Sequence, residues 1–133
     1  MTEEEIILIR KIFRKLEPQM YQASQLFYDN LFRYHPELKP LFRGNKEAQI
    51  EKFGQVLLML VRSLDDQEWI RKELSDLGRK HIEYGVQSAH YDIVGATLLS
   101  TIKELLGEED YTKEVDDVMI SLYNFISSSM TGY

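Results

Sequence analysis

Apolar residues recur at every third or fourth position through almost the whole of this chain, and they nowhere alternate with polar ones over a strand-length run. Side chains on one helix face repeat at about 3.6 residues, and those on one sheet face at two. The pattern therefore points to amphipathic helices, and the expected fold class is all-α. Thr2 followed by Glu5 is a capping-box pattern, and the stripe Ile6, Ile9, Phe13 and Leu16 runs up to Pro18, which ends the first helix. A second helix is expected over residues 19–32, with Met20, Ala23, Phe27 and Leu31 inward. The stretch YHPELKPLFRGN then holds Pro36, Pro40 and Gly44, so it should form one or two tight turns. A third helix is expected over 47–64, with Ile50, Phe53, Leu57, Leu60 and Leu64 on its buried face. Asp65 and Asp66 open a fourth that runs beyond His81, and Ser88 is a fair cap for a fifth that Gly107 stops. The last should span 110–129 and bury Val115, Val118, Leu122, Phe125 and Ile126.

The length, 133 residues, is enough for one sizeable core, and a single domain over 1–133 is expected. A net charge of −6 argues against nucleic acid or an anionic membrane surface as partner. Cysteine is absent, which excludes disulfides, thiolate metal sites and cysteine nucleophiles and fits a cytoplasmic location. The acidic start, MTEEEIILIRK, has the wrong charge for a secretory signal, and no run approaches the ~18 apolar residues of a membrane span.

One position breaks the helical pattern. Leu74, Leu77 and His81 share a helix face, so an imidazole stands in an apolar stripe, with Gly85 as a stop signal one turn on. It is either a core histidine bonded to a carbonyl or a ligand to a metal or haem. His35 and His90 lie beside helix starts and show no HxxxH or HExxH spacing, which argues against a multi-histidine zinc site. A site with one histidine makes sense where another group supplies the remaining ligands, and a porphyrin supplies four. Tyr28 and Phe42 are aromatics at helical spacing that a plain core would also explain. Gln49 leads the stripe Gln49, Phe53, Leu57 and is placed to face inward at the mouth of a pocket.

Taken together, FYDNLFRYHPELKPLF (27–42), Gln49 at the head of a long helix, LGRKH (77–81) and HYDIVGATLLSTIKELLG (90–107) resemble the globin family. The likeness is to bacterial single-domain haemoglobins and the globin domain of flavohaemoglobins, and LGRKH is also similar to its neuroglobin counterpart. It covers essentially the whole chain and needs no gap from Gln49 to His81. The resemblance implies a globin fold of about six to eight helices around a haem pocket. It implies one haem b per chain, held non-covalently because no cysteine is present to tether it. His81 would be the proximal ligand through Nε2, its Nδ1–H donating to a carbonyl one turn back, that of Leu77. Phe42 would wedge against the porphyrin edge. Tyr28 and Gln49 would be the distal hydrogen-bond donors, with Phe53 beside them. Val86, Val94 and Leu98 would line the proximal and lower pocket, and Tyr123 would reach the haem region from the last helix. Lys52 and Lys80 fall where basic side chains meet propionates, though a solvated lysine explains them equally well.

Two departures from the family pattern stand out. Relatives usually carry a smaller aliphatic residue where this chain has Phe53, so the ring should narrow the pocket and can push Gln49 outward. Tyr91 matches a tyrosine that, with a glutamate near the C-terminus, strengthens the proximal histidine in flavohaemoglobin-type globins. The matching glutamate would fall just beyond Tyr133. No GxGxxG is present, so repeated redox turnover would need an external reductase. The function implied is reversible binding of a diatomic gas, O2 above all and also CO and NO, for storage, transport or sensing. The alternative is a nitric oxide dioxygenase, and a third reading is a haem-free helical module. The oligomeric state stays open.

Overall fold

The computed structural model describes residues 1–132, and those residues form six α-helices joined by turns, with no strand among them. They are α1 (Glu3–Leu16), α2 (Met20–Tyr34), α3 (Lys46–Arg62), α4 (Gln67–Glu83), α5 (Ser88–Leu106) and α6 (Lys113–Thr131). Two 3₁₀ segments, Glu17–Gln19 and Pro36–Leu41, flank α2.

The caps explain most of these boundaries. The expected box at α1 is present, with Thr2 accepting from the Glu5 amide at 3.1 Å and Glu5 accepting from the Thr2 amide at 3.0 Å. Asn45 and Asp66 cap α3 and α4 by accepting from Ala48 and Trp69. Pro18 does not simply end α1. It sits in the first turn of a 3₁₀ segment, where its missing N–H costs nothing, and α2 starts at Met20 and runs two residues past the expected end. The cap of α5 is Gln87, and Ser88 is its first helical residue. α6 starts three residues later than expected because Thr112 accepts from the Val115 amide at 3.2 Å, while Tyr111 ahead of it is buried and donates to Asp116 at 2.8 Å.

The inward stripes of all six helices meet in one apolar core, with Phe27, Ile9, Leu16, Leu31, Ile50 and Ile70 almost fully enclosed. α2 packs on α3 and α5, α1 on α6 and α3, and α4 on α6. α3 and α4 follow one another in the chain yet have at most marginal contact. They diverge from the Arg62–Gln67 turn, so α4 carries its apolar edge away from α3 instead of closing on it.

Small residues set the crossings that hold this arrangement. At Gly54 of α3, an added Cβ would stand 3.0 Å from Met20 Cγ and 3.7 Å from Ser24 Cβ, so α2 and α3 lie nearly backbone to backbone. Ser24 completes the contact by donating to the Ile50 carbonyl at 2.6 Å. Gly78 plays the same part between α4 and α6. A Cβ there would fall 2.7 Å from the Met130 carbonyl carbon and 2.9 Å from its Cα. No helix is long and apolar enough to cross a membrane among the described residues.

Candidate functional site

His81 lies in the last turn of α4, three residues after Gly78, so the close crossing on α6 fixes the stretch of helix that carries it. Its ring is half-buried and its Nδ1 stands 2.8 Å from the Leu77 carbonyl oxygen, the bond expected from the sequence. A carbonyl can only accept, so Nδ1 carries the proton and, in the neutral ring, Nε2 keeps its lone pair. Donating to a carbonyl in this way raises the electron density of the imidazole. The structure thus presents one oriented Lewis base on an apolar helix edge. The chain then turns away at Gly85, whose φ of +96° a side-chain-bearing residue would rarely adopt, and the Val86 amide bonds back to the His81 carbonyl at 2.9 Å.

A cluster of five aromatic rings comes from α2, from α3 and from Phe42, which caps the end of the 3₁₀ segment Pro36–Leu41. Phe53 stacks on Phe27, with centroids 4.5 Å apart and planes 10° from parallel. Tyr28 meets Phe27, Phe42 and Phe53 edge-on at 5.3, 5.5 and 5.7 Å, and Phe32 packs edge-on to Phe42 at 5.2 Å. Of the expected distal and edge residues, Tyr28 therefore contacts both Phe42 and Phe53. Burial pushes the Tyr28 phenol up to about 12, so it is a protonated O–H donor throughout the physiological range. Phe42 and Phe53 are only partly buried, as are Leu41, Leu77 and Val94. These side chains give α3, α4 and α5 a set of apolar surfaces that the core does not cover.

Gln49 is placed differently from Tyr28. Its amide Nε2 donates to the Arg43 carbonyl across the turn at Gly44, so in this structure it ties the start of α3 to the preceding segment. The direct cause is local, because Asn45 caps α3 and sets Gln49 one turn above itself, within reach of the Arg43 carbonyl. Leu98 is buried in the core, where it helps line a small apolar cavity with Phe53, Leu57 and Ile102. Val86 and Tyr91 are half-buried. Burial raises the Tyr91 phenol pKa. Tyr123 donates its hydroxyl to the Tyr91 carbonyl, and its ring lies against Gly95, where an added Cβ would be 2.7 Å from Cδ2. Burial, followed by the neighbouring Tyr91 and Asp92, drives the Tyr123 phenol far above its ordinary value, so it remains a donor. Lys52 and Lys80 are exposed and make no ion pair among the described residues.

Sequence reasoning missed Gly54, Gly78 and Gly95 as positioning residues. The signal was there, since a glycine inside a helix costs about 1 kcal/mol against alanine and marks a close approach when it is kept. No cluster of three or more His, Cys, Asp or Glu side chains able to hold a bare metal ion is found among the described residues. The donor set that is present, one oriented imidazole on an apolar helix edge, fits a flat aromatic macrocycle that brings its own metal ligands.

Comparison with known proteins agrees with this fold. The Globin family model matches residues 25–130, and the chain belongs to the globin family. The Flavohemoprotein of Chromobacterium violaceum is 31% identical over 111 residues, 81% of this chain, and the match covers 28% of that relative. The chain thus corresponds to less than a third of the flavohemoprotein's length. Among solved structures, an engineered carbene transferase from Rhodothermus marinus, whose parent carries the name of a nitric oxide dioxygenase, superposes with a TM-score of 0.87 at 27% identity. That match covers 99% of this chain and 92% of the other. A bacterial globin from Campylobacter jejuni superposes with a TM-score of 0.80 at 27% identity, over 98% of this chain and 97% of that one.

Proposed function

We propose that the chain binds one haem b non-covalently and uses it to bind a diatomic gas reversibly, O2 first, with CO and NO as further ligands. The observation that carries this reading is the His81 ring, held by its Nδ1–H on the Leu77 carbonyl so that Nε2 is left as a lone-pair donor. When bound, the haem iron supplies a coordination position for the gas and a ferrous–ferric couple. His81 would be its sole protein ligand, and Phe42, Leu77, Val86, Val94 and Leu98 would contribute apolar wall.

The work of the chain's own residues follows from the geometry above. Leu77 holds the His81 ring in one tautomer, so no reorientation is needed when a metal is met. Tyr28 supplies an O–H donor on the other side, kept protonated by its burial. A donor in an apolar box stabilises a ligand carrying partial negative charge more than one that does not, which favours O2 over CO. Phe53, seated against Phe27 and Tyr28, limits the space beside that donor. Tyr123 fixes the start of α5 through the Tyr91 carbonyl and so holds Tyr91 and Val94 in register with His81. Lys52 and Lys80 are exposed cations available to propionates. A cytoplasmic location belongs to this reading, in keeping with a chain that has no cysteine.

A second reading, nitric oxide dioxygenase with an external reductase, is supported by likeness to the flavohemoprotein and to the R. marinus structure. Sustained NO consumption in the presence of a reductase would favour it. Haem titration tests the shared premise. A Soret band should form at one haem per chain and be lost or strongly shifted in His81→Ala, whose helical content should remain. An unchanged band in His81→Ala would remove His81 as the ligand.

A further inference from the structure

The loop between His81 and α5 is a chain of hydrogen bonds that ends on a second imidazole. Tyr84 N–H reaches Lys80 O at 3.1 Å, Gly85 N–H reaches Ile82 O at 3.0 Å and Val86 N–H reaches His81 O at 2.9 Å. The next amide, that of Gln87, donates to His90 Nδ1 at 3.0 Å, while the Gln87 side chain accepts from the His90 amide. This is a reciprocal helix cap in which histidine takes the place usually held by Glu or Gln. The difference is chemical. A glutamine oxygen accepts at any pH, whereas an imidazole Nδ1 accepts only while the ring is neutral. Protonation would abolish the acceptor and leave a cation at the positive end of the α5 dipole, which is repulsive.

A second partner stands ready for the cation. Glu37, in the 3₁₀ segment Pro36–Leu41, is an exposed carboxylate 3.1 Å from His35 Nδ1. Its carboxyl is held below the usual range by its own backbone amide first, then by His35, with a smaller electrostatic contribution from His90. The 3₁₀ segment packs on the loop itself, Leu41 Cδ2 lying 3.5 Å from where a side chain on Gly85 would begin. The groups that bear on His90 are therefore Glu37 from that segment and His35 just ahead of it, with Tyr91 and the exposed Asp92 on its own helix.

We propose that His90 is a proton-operated latch on the loop behind His81: neutral, it caps α5 through the Gln87 amide; protonated, it releases Gln87 and turns to the Glu37 carboxylate. The loop is anchored at one end on the His81 carbonyl and at the other on His90, so acid frees one of its two anchors. Any consequence for a ligand held at His81 rests on the function proposed above; the latch itself does not.

Hydrogen exchange of the Gln87 amide, corrected for the intrinsic pH dependence of exchange, tests the latch with or without haem. Imidazoles ordinarily titrate between about pH 5 and 8. Protection of Gln87 should therefore fall about ten-fold or more between pH 8 and pH 5.5 in the native chain. His90→Gln, which keeps an acceptor at all pH, should remove that step and leave Gln87 protected throughout. Glu37→Gln should move the step to lower pH. Protection that is independent of pH in the native chain would overturn the latch. So would an equal step in His90→Gln, which would assign the step to another group. An unmoved step in Glu37→Gln would overturn the second partner. A chain that fails to take up haem but shows the Gln87 step would sink the functional reading and leave the latch standing.

Discussion

Replacing Gly78 by alanine should weaken the protein, although glycine to alanine inside a helix ordinarily strengthens it by about 1 kcal/mol. The added Cβ would meet the carbonyl carbon and Cα of Met130 at 2.7 and 2.9 Å and come closer still to the carbonyl oxygen. All three atoms are backbone of α6, so no side chain can swing aside. The deficit from ordinary contact near 3.4 Å is about 0.7 Å at the carbonyl carbon and larger at the oxygen, so α4 must move off α6 by more than about 0.7 Å, and overpacking of this kind costs about 1–3 kcal/mol. Gly78 is buried in the tightest crossing described above, which places the substitution at or beyond the upper end of that range. The net loss, after the helix-propensity gain of about 1 kcal/mol, is about 2 kcal/mol or more, or at least roughly 6–10 °C in Tm for a chain of this size. Thermal unfolding followed by circular dichroism reads this directly. The same substitution should alter the ligand side, because His81 follows three residues later, about 4.5 Å along the helix. A Gly78→Ala protein with an unchanged or higher Tm would refute the argument that this glycine sets the α4–α6 contact.

Three further outcomes follow from the site. Tyr28→Phe should speed O2 dissociation about five- to ten-fold, the worth of one hydrogen bond of about 1–1.5 kcal/mol, and leave CO dissociation nearly unchanged; equal effects on the two gases would mean that Tyr28 does not donate to the ligand. The Tyr28 phenol stands at about 12 in the folded chain against an ordinary value near 10, so its contribution to stability is full below pH 10 and is lost as pH rises toward 12. Alkaline unfolding titrations should accordingly show a smaller loss in Tyr28→Phe than in the native protein over that window, and identical losses would contradict the burial argument. Phe53→Leu removes a ring stacked at 4.5 Å on Phe27 and should accelerate CO association, measured by flash photolysis; an unchanged rate would show that the ring does not gate the pocket.

The helical order and the inward stripes were readable because each rests on local periodicity. Ile6, Ile9, Phe13 and Leu16, or Met20, Ala23, Phe27 and Leu31, are buried as their spacing implies. Boundaries were less readable wherever a cap comes from an unexpected residue. Gln87 caps α5 only because His90 completes the box, and Thr112 displaces the start of α6 by accepting from Val115. At the site, the Leu77 bond of His81 was legible because residues four apart in a helix necessarily meet. The destination of Gln49 was not, because it depends on the turn at Gly44 and on an open carbonyl at Arg43, neither of which has a periodic signature. The seat of Tyr123 against Gly95 joins residues of two helices, and such pairings are set by tertiary packing alone.

The central claim is that His81 is the one protein ligand of a gas-binding haem, and the absorption spectrum of the haem-loaded chain tests it most directly. The ferrous protein under argon should show a five-coordinate spectrum, convert to a stable oxy form in air, and return to the starting spectrum when O2 is removed. A six-coordinate ferrous spectrum without added ligand, or immediate oxidation in air, would contradict the account.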